Sequence, residues 1–271
     1  MGQAAWHGAA CVALCLAAGQ ALSHDSWLSP SRDDSPAGQL VLELATGNRF
    51  PVQEFSQTAA SVALSGCVDA QGRPRDLRPQ REHPQWLDLR VEGPRGNSPL
   101  ACWVELGAAE IEIEPPKVEV YLNEIRAPAA NRAAWAALRE RRLPWRESYR
   151  KYARIERPAG EPVRPGALAA ARLPAGLALE IVVLGDRPIA VGEPVAFQVL
   201  RDGRPLAGFA VELLSERSPL GVWRQTDSEG ILRHSLPFNG RWLLRGTDLR
   251  LSTQRPDTWE SRFVTLALEA P

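Results

Sequence analysis

Short runs in which apolar and polar residues alternate recur along most of the chain, and they predict strands. Residues 39–45 (Gln-Leu-Val-Leu-Glu-Leu-Ala) form the first such run, followed by 61–67, 86–91 and 101–106. Turn signals separate them: Asp69-Ala70-Gln71-Gly72, Pro74, and the stretch from Glu92 to Asn97. From Glu110 to Glu114 the residues alternate strictly between Glu and Ile, the pattern of a half-exposed strand. This first block, of roughly 90 residues, reads as an antiparallel sandwich.

The middle of the chain changes period. Asn131–Leu143 is rich in Ala, Leu and Arg with no breaker, and predicts the one clear helix, with Asn131 as its cap and Pro144 as its stop. Arg146–Arg154 is basic and contains tyrosines. With Glu140, Glu147 and Glu156 nearby it reads as a solvated strand or helix face. Arg157–Pro174, rich in Pro, Ala and Gly, reads as a linker. Strand patterns then return at 178–184, 194–201, 209–215, 221–225, 232–236, 242–248 and 262–268, at roughly ten-residue spacing. The expected fold is all-β. Two sandwich domains of immunoglobulin-like or transthyretin-like type, residues 24–115 and 176–271, are joined by a helical connector and linker at 116–175.

Composition narrows the function classes. The 23 Pro and 21 Gly among 271 residues suit many short strands and turns. Lys plus Arg equals Asp plus Glu at 32 each, which argues against nucleic acid or an anionic membrane as partner. Met1 is the single methionine, so a methionine-rich copper(I) site is excluded. Gly8–Ala18 is an apolar run of about 11 residues, the length of a signal-peptide core and short of the span of about 20 that a membrane helix needs. No Lys or Arg precedes it. Small residues suit cleavage after Ala21 or after Ser23. We therefore expect residues 1–23 to be a signal peptide and the processed protein to be periplasmic or secreted, without a membrane span. In that compartment Cys67 and Cys102, each in a strand-like run, are expected to form a disulfide.

Cleavage gives His24 its interest. If it falls after Ser23, His24 is the first residue, and its α-amine and ring Nδ1 chelate one metal ion in a six-membered ring. If it falls after Ala21, His24 is third, another arrangement that chelates copper and nickel. A terminal amine, with a pKa near 8, is easier to deprotonate for coordination than a lysine. Neutral imidazole suits Ni(II), Co(II), Cu(II) and Zn(II). Beyond His7 of the leader, the other histidines are His83, in a polar turn, and His234, which alternates with Leu232 and Leu236.

The stretch His24-Asp25-Ser26-Trp27-Leu28-Ser29-Pro30-Ser31 after a signal peptide resembles the start of the DUF4198 family. The resemblance continues in order through Glu119–Glu124, Glu147–Arg154, Gly176–Val182, Gly192–Val195, Leu200–Gly208, Thr226–Gly230, Gly240–Arg245 and Asp257–Ser261. It covers nearly the whole chain past the leader. It implies a periplasmic component of nickel or cobalt uptake: a protein that binds a divalent transition metal (Ni, Co or Cu) and passes it to a membrane transporter or buffers it. The expected metal-site residues are His24, Asp25, Asp248, Glu260 and His234, with Asp25 also suited to orient the imidazole and Trp27 suited to shield the site. Asp248 stands where family members commonly carry His, which makes the donor harder.

No phosphate loop, H-E-x-x-H, C-x-x-C or G-x-S-x-G motif occurs, so no enzyme is expected. Two other readings stay open: a carbohydrate- or protein-binding β-module without metal, and a copper-dependent polysaccharide monooxygenase in which His83 or His234 joins His24.

Overall fold

A computed structural model describes residues 24–31, 40–91, 99–157 and 163–271; the expected export segment lies outside these residues. The fold is all-β with a little helix, as the sequence predicts. Its strands form three layers.

The middle layer is a nine-stranded sheet. Its strands run in the order Val222–Gln225, Ala210–Ser215, Gly240–Leu251, Trp259–Ala270, Trp145–Arg157, Leu100–Leu106, Val62–Asp69 and Pro74–Arg75, with Ala109–Ile113 also paired to Trp145–Arg157. One face is covered by a sheet ordered Asp25–Pro30, Leu40–Gly47, Trp86–Val91 and Leu77–Glu82, with the short Phe55–Ser56 strand on Leu40–Gly47. The other face is covered by Leu179–Val183, Pro194–Arg201 and Arg204–Pro205, with Ile231–Ser235 also on Pro194–Arg201.

Because successive side chains of a strand point to opposite faces, each middle-layer strand feeds two cores. Tyr152, Leu244, Val264, Leu266 and Leu268 pack into the core shared with the third layer, alongside Phe197, Val199 and Ile181. Ala153, Ile155, Leu243 and Ala267 point the other way, against Trp27, Leu28, Leu42, Leu44 and Leu89. Double burial explains why 262–268 reads as a near-continuous apolar run rather than a clean alternation.

The first layer leaves part of its face of the middle sheet uncovered. Two helices, Pro115–Glu124 and Ala129–Glu140, close that remainder over Trp145, Leu249, Trp259 and Phe263. The Trp145 and Trp259 rings stack at 4.5 Å, and Trp135 meets Trp145 edge-on. Beneath them Glu147 is buried, with no cation paired to it among the described residues. It accepts hydrogen bonds from Tyr121 Oη (3.0 Å), Trp145 Nε1 (2.8 Å) and the Ser261 hydroxyl. Burial raises its carboxyl pKa, and the three donors pull against that rise.

Several expectations change. Helices are found at Pro115–Glu124, Ala129–Glu140 and Ala167–Ala171, where one clear helix and a linker were expected. Asn131 is not a cap: the helix begins after Pro128, and the Asn131 amide donates to the Leu249 carbonyl at 2.7 Å, tying helix to sheet. Arg146–Arg154 is not a solvated face. It belongs to the thirteen-residue strand Trp145–Arg157 inside the middle sheet, paired in parallel with Trp259–Ala270 in an otherwise antiparallel array. Its charges are absorbed locally: buried Arg154 faces buried Glu180 at 3.6 Å and donates to the carbonyls of Ala171 and Leu173. The middle sheet draws strands from all three of the segments 24–115, 116–175 and 176–271.

The expected disulfide is present. Cys67 and Cys102 are directly opposed on neighbouring antiparallel strands and joined, fully buried in the core under the first layer. It closes a loop of 35 residues. Removing it as Cys67→Ala/Cys102→Ala is expected to cost roughly 3–4 kcal/mol of stability, read as a lower urea midpoint, with a slope no smaller than that of the bridged protein because the unbridged denatured chain is more expanded.

Candidate functional site

The first strand, Asp25–Pro30, lies at the edge of the first layer, where that layer meets the helix pair above the middle sheet. This seam holds His24. Its floor is one face of the middle sheet: Lys151 opposite Phe263, and Thr265 opposite both Ala153 and Arg245. Its walls are the turn carrying Glu54 and Phe55, the Glu124–Ile125 end of the first helix, and Trp223.

The first strand is clipped to this floor at successive residues. Lys151 Nζ donates to the His24 carbonyl at 2.7 Å. Asp25 pairs with Arg245. The Thr265 hydroxyl donates to the Ser26 carbonyl, and Ser26 Oγ meets Thr46 Oγ1, both at 2.7 Å. Polar residues therefore do the docking of a strand whose sequence lacks an alternating apolar pattern.

His24 is 6 % exposed, and its ring meets Phe55 edge-on at 5.1 Å. Nε2 is buried with no hydrogen-bond partner and faces Glu54 Oε2 at 4.0 Å. Burial holds the imidazole below its ordinary pKa. Lys151 adds to that, while Glu54, Asp25 and Glu124 oppose it. The imidazole is thus neutral at neutral pH, the state that coordinates metals.

Lys151 is brought down to about 8 by burial, against the pull of Asp25. Its ammonium lies 5.6 Å from the Tyr149 ring centre and 5.9 Å from that of Phe263. Arg245 behaves oppositely. Burial alone would lower its pKa, but Asp25 and Glu212 outweigh burial and hold it above the ordinary value. Its Nη2 is 2.6 Å from Glu212 Oε2.

The expected site residues are dispersed. His24 and Asp25 are in the seam, with Asp25 engaged by Arg245. Trp27 is fully buried in the core under the first layer, edge-on to Phe50. Asp248 pairs with Arg201 at 3.4 Å. Glu260 accepts from the Ser252 hydroxyl at 2.6 Å and from Arg250. His234 is in the third layer, its Nε2 buried and unpartnered. His83 bonds Asp88 at 2.8 Å and stacks on Trp86. Among the described residues no three side chains of His, Cys, Asp and Glu are grouped to hold a metal ion. Glu54, Lys151 and Arg245, which line the seam, were not singled out from sequence. Lys151 falls within the Glu147–Arg154 block and Arg245 ends the Gly240–Arg245 block, both of which carry the family resemblance; Glu54 has no such mark.

An all-β protein with a helix pair over its middle sheet, and a buried histidine where the two covers meet, is the class these features define. The chain belongs to the DUF4198 family: the model of this domain of unknown function matches residues 21–247. No curated protein matches the chain. Among solved structures it is similar to native alpha-2-macroglobulin from Escherichia coli spanning domains MG0-NIE-MG1. The identity is 11 %, the match covers 87 % of this chain and 94 % of that one, and the TM-score is 0.22, too low to carry an argument. No helix among the described residues is long and apolar enough to cross a membrane.

The depressed lysine makes a stability prediction for the metal-free protein. Above pH 10.5 Lys151 is neutral folded and unfolded, and contributes nothing. Between 10.5 and about 8 the unfolded chain takes up a proton that the folded chain refuses, so stability falls as pH falls, then levels off below 8. The full effect is on the order of 3 kcal/mol. Lys151→Met should flatten this part of the urea-midpoint profile between pH 8 and 10.5; equal slopes for both proteins would rule the effect out.

Proposed function

We propose that the protein works outside the cytoplasm, with its leader removed, and binds one divalent transition-metal ion as a cargo at His24. Cleavage after Ser23 places the α-amine and Nδ1 of His24 in reach of a single ion. The observation that supports this reading is the seam itself. It holds a buried, neutral imidazole whose backbone is fixed by Lys151 and Asp25 whose side chain is held by Arg245, so little ordering remains to be done when an ion arrives.

The surrounding charge also fits a cation. Asp25, Glu54, Glu124 and Glu212 stand against Lys151 and Arg245, a local excess of negative charge. The donor set is open, completed by water rather than by a closed ring of side chains. Structural metal sites are closed, whereas an ion that must be passed on is better held in an incomplete shell. Ni(II), Co(II) and Cu(II) all suit an amine–imidazole pair, and a membrane transporter is the natural recipient.

Calorimetric titration of protein beginning at His24 should show one ion per chain with Ni(II), Co(II) or Cu(II), and His24→Ala should abolish it. Titration in buffers of different ionisation enthalpy counts the protons released. At pH 6 the amine should release about one, and the imidazole, held below its ordinary pKa by burial, should release less than an ordinary histidine would. Release of nearly two would show an ordinary histidine, and absence of heat with all three metals would retire the reading.

A further inference from the structure

Every imidazole that coordinates through one nitrogen leaves the other to be satisfied. In His24 the nitrogen left over from an amine–Nδ1 chelate is Nε2, which is walled off from solvent and has no partner. Among the described residues, the carboxylate paired with it is Glu54, from the turn linking Leu40–Gly47 to Phe55–Ser56. We propose that Glu54 is the positioning residue of the His24 site: it accepts the proton of Nε2, fixes the tautomer that presents Nδ1 to the ion, and closes on the ring when the ion binds. This rests on the reading of His24 as a metal-binding residue and goes beyond it by naming the group that selects the coordinating nitrogen.

The turn is built to aim that carboxylate. Asn48 donates to Glu54 Oε2 twice, from its backbone N–H and from Nδ2, each at 3.0 Å. The Glu54 backbone N–H donates to the Thr46 carbonyl at 3.0 Å, and that of Val52 to the Arg49 carbonyl at 2.7 Å. Gly47 permits the tight closure: a Cβ there would lie 2.5 Å from the Val52 carbonyl oxygen and 3.0 Å from the Trp27 ring. Phe55, next in the chain, meets the edge of the His24 ring and restricts its swing. The other charged groups near the ring act elsewhere: Lys151 on the His24 carbonyl, and Asp25 on Arg245. Glu124, from the first helix, adds to the field at the ring.

At 4.0 Å the Nε2–Oε2 separation is too long for a hydrogen bond and short enough that a small movement of either side chain makes one. A metal-bound imidazole is a stronger N–H donor than a free one, so coordination at Nδ1 drives that closure. A carboxylate in this role raises ligand basicity, and its loss commonly weakens metal binding about 10–100-fold.

The test uses protein beginning at His24, titrated with Co(II) and Ni(II). Glu54→Gln keeps the shape and removes the charge, and should weaken binding at least tenfold with the stoichiometry unchanged. Asn48→Ala frees the carboxylate from its anchor and should give a smaller loss in the same direction, which keeps the test open if Glu54→Gln fails to fold. In the Co(II) complex, NMR should show an exchangeable ring proton on Nε2 of His24. Wild-type protein that binds metal while Glu54→Gln binds within twofold of it overturns the role of Glu54 and leaves the metal reading standing. A bound imidazole lacking the Nε2 proton, with cobalt on Nε2, overturns it as well. Failure of the wild-type protein to bind either ion removes both.

Discussion

The structure depends on a sheet that is covered on both sides. A strand offers only two faces, and in the middle layer both are committed: one to the third layer, the other to the first layer and the helix pair. No single cover spans the second face. Where the two covers meet, the first strand brings a carboxylate and backbone carbonyls that need partners, so the sheet below is not lined with apolar side chains alone. Lys151, Arg245 and Thr265 occupy that line, and the polar first strand docks onto them. The candidate site is therefore a consequence of layer geometry.

Two cations in the seam are treated differently. Arg245 has a planar fork and two carboxylates, so its charge is secure. Lys151 has a backbone carbonyl and two ring faces, which solvate an ammonium poorly. The same junction thus contains one fixed charge and one that titrates within reach of neutral pH. His24 lies beside the second, which favours its neutral form. The buried Arg172–Glu156 pair follows the first pattern, with the carbonyls of Gly185 and Arg187 accepting from Arg172.

Most strands were legible because alternation is a local signal. Residues 86–91 and 194–201 match the observed strands, and the disulfide followed from two cysteines in strand-like runs. Besides three two-residue strands, two strands of six residues were missed, for opposite reasons. Asp25–Pro30 has no alternating pattern: adjacent Trp27 and Leu28 enter the core while Asp25 and Ser26 are held by polar contacts that no periodicity encodes. Leu77–Glu82 is largely exposed at a sheet edge, with little apolar pattern to read. Arg146–Arg154 looked solvated because the strand that flanks it on one side, at residues 259–267, is more than a hundred positions away, and those on its other side, at 100–106 and 109–113, are themselves not adjacent in sequence. At the site, His24 was legible from its place after the leader. Glu54 was not, because what marks it is its distance from a ring thirty residues earlier in the chain.

The parallel pairing of Trp145–Arg157 with Trp259–Ala270 has a consequence for biosynthesis. The strand made last among those described occupies the interior of the middle sheet, with a neighbour on each side. A nascent polypeptide still awaiting residue 270 holds the flanks of that sheet with nothing to join them. The three layers cannot consolidate progressively from the amino-terminal end during translation, and the unfinished chain must be kept from pairing its unfilled edges with the wrong partner.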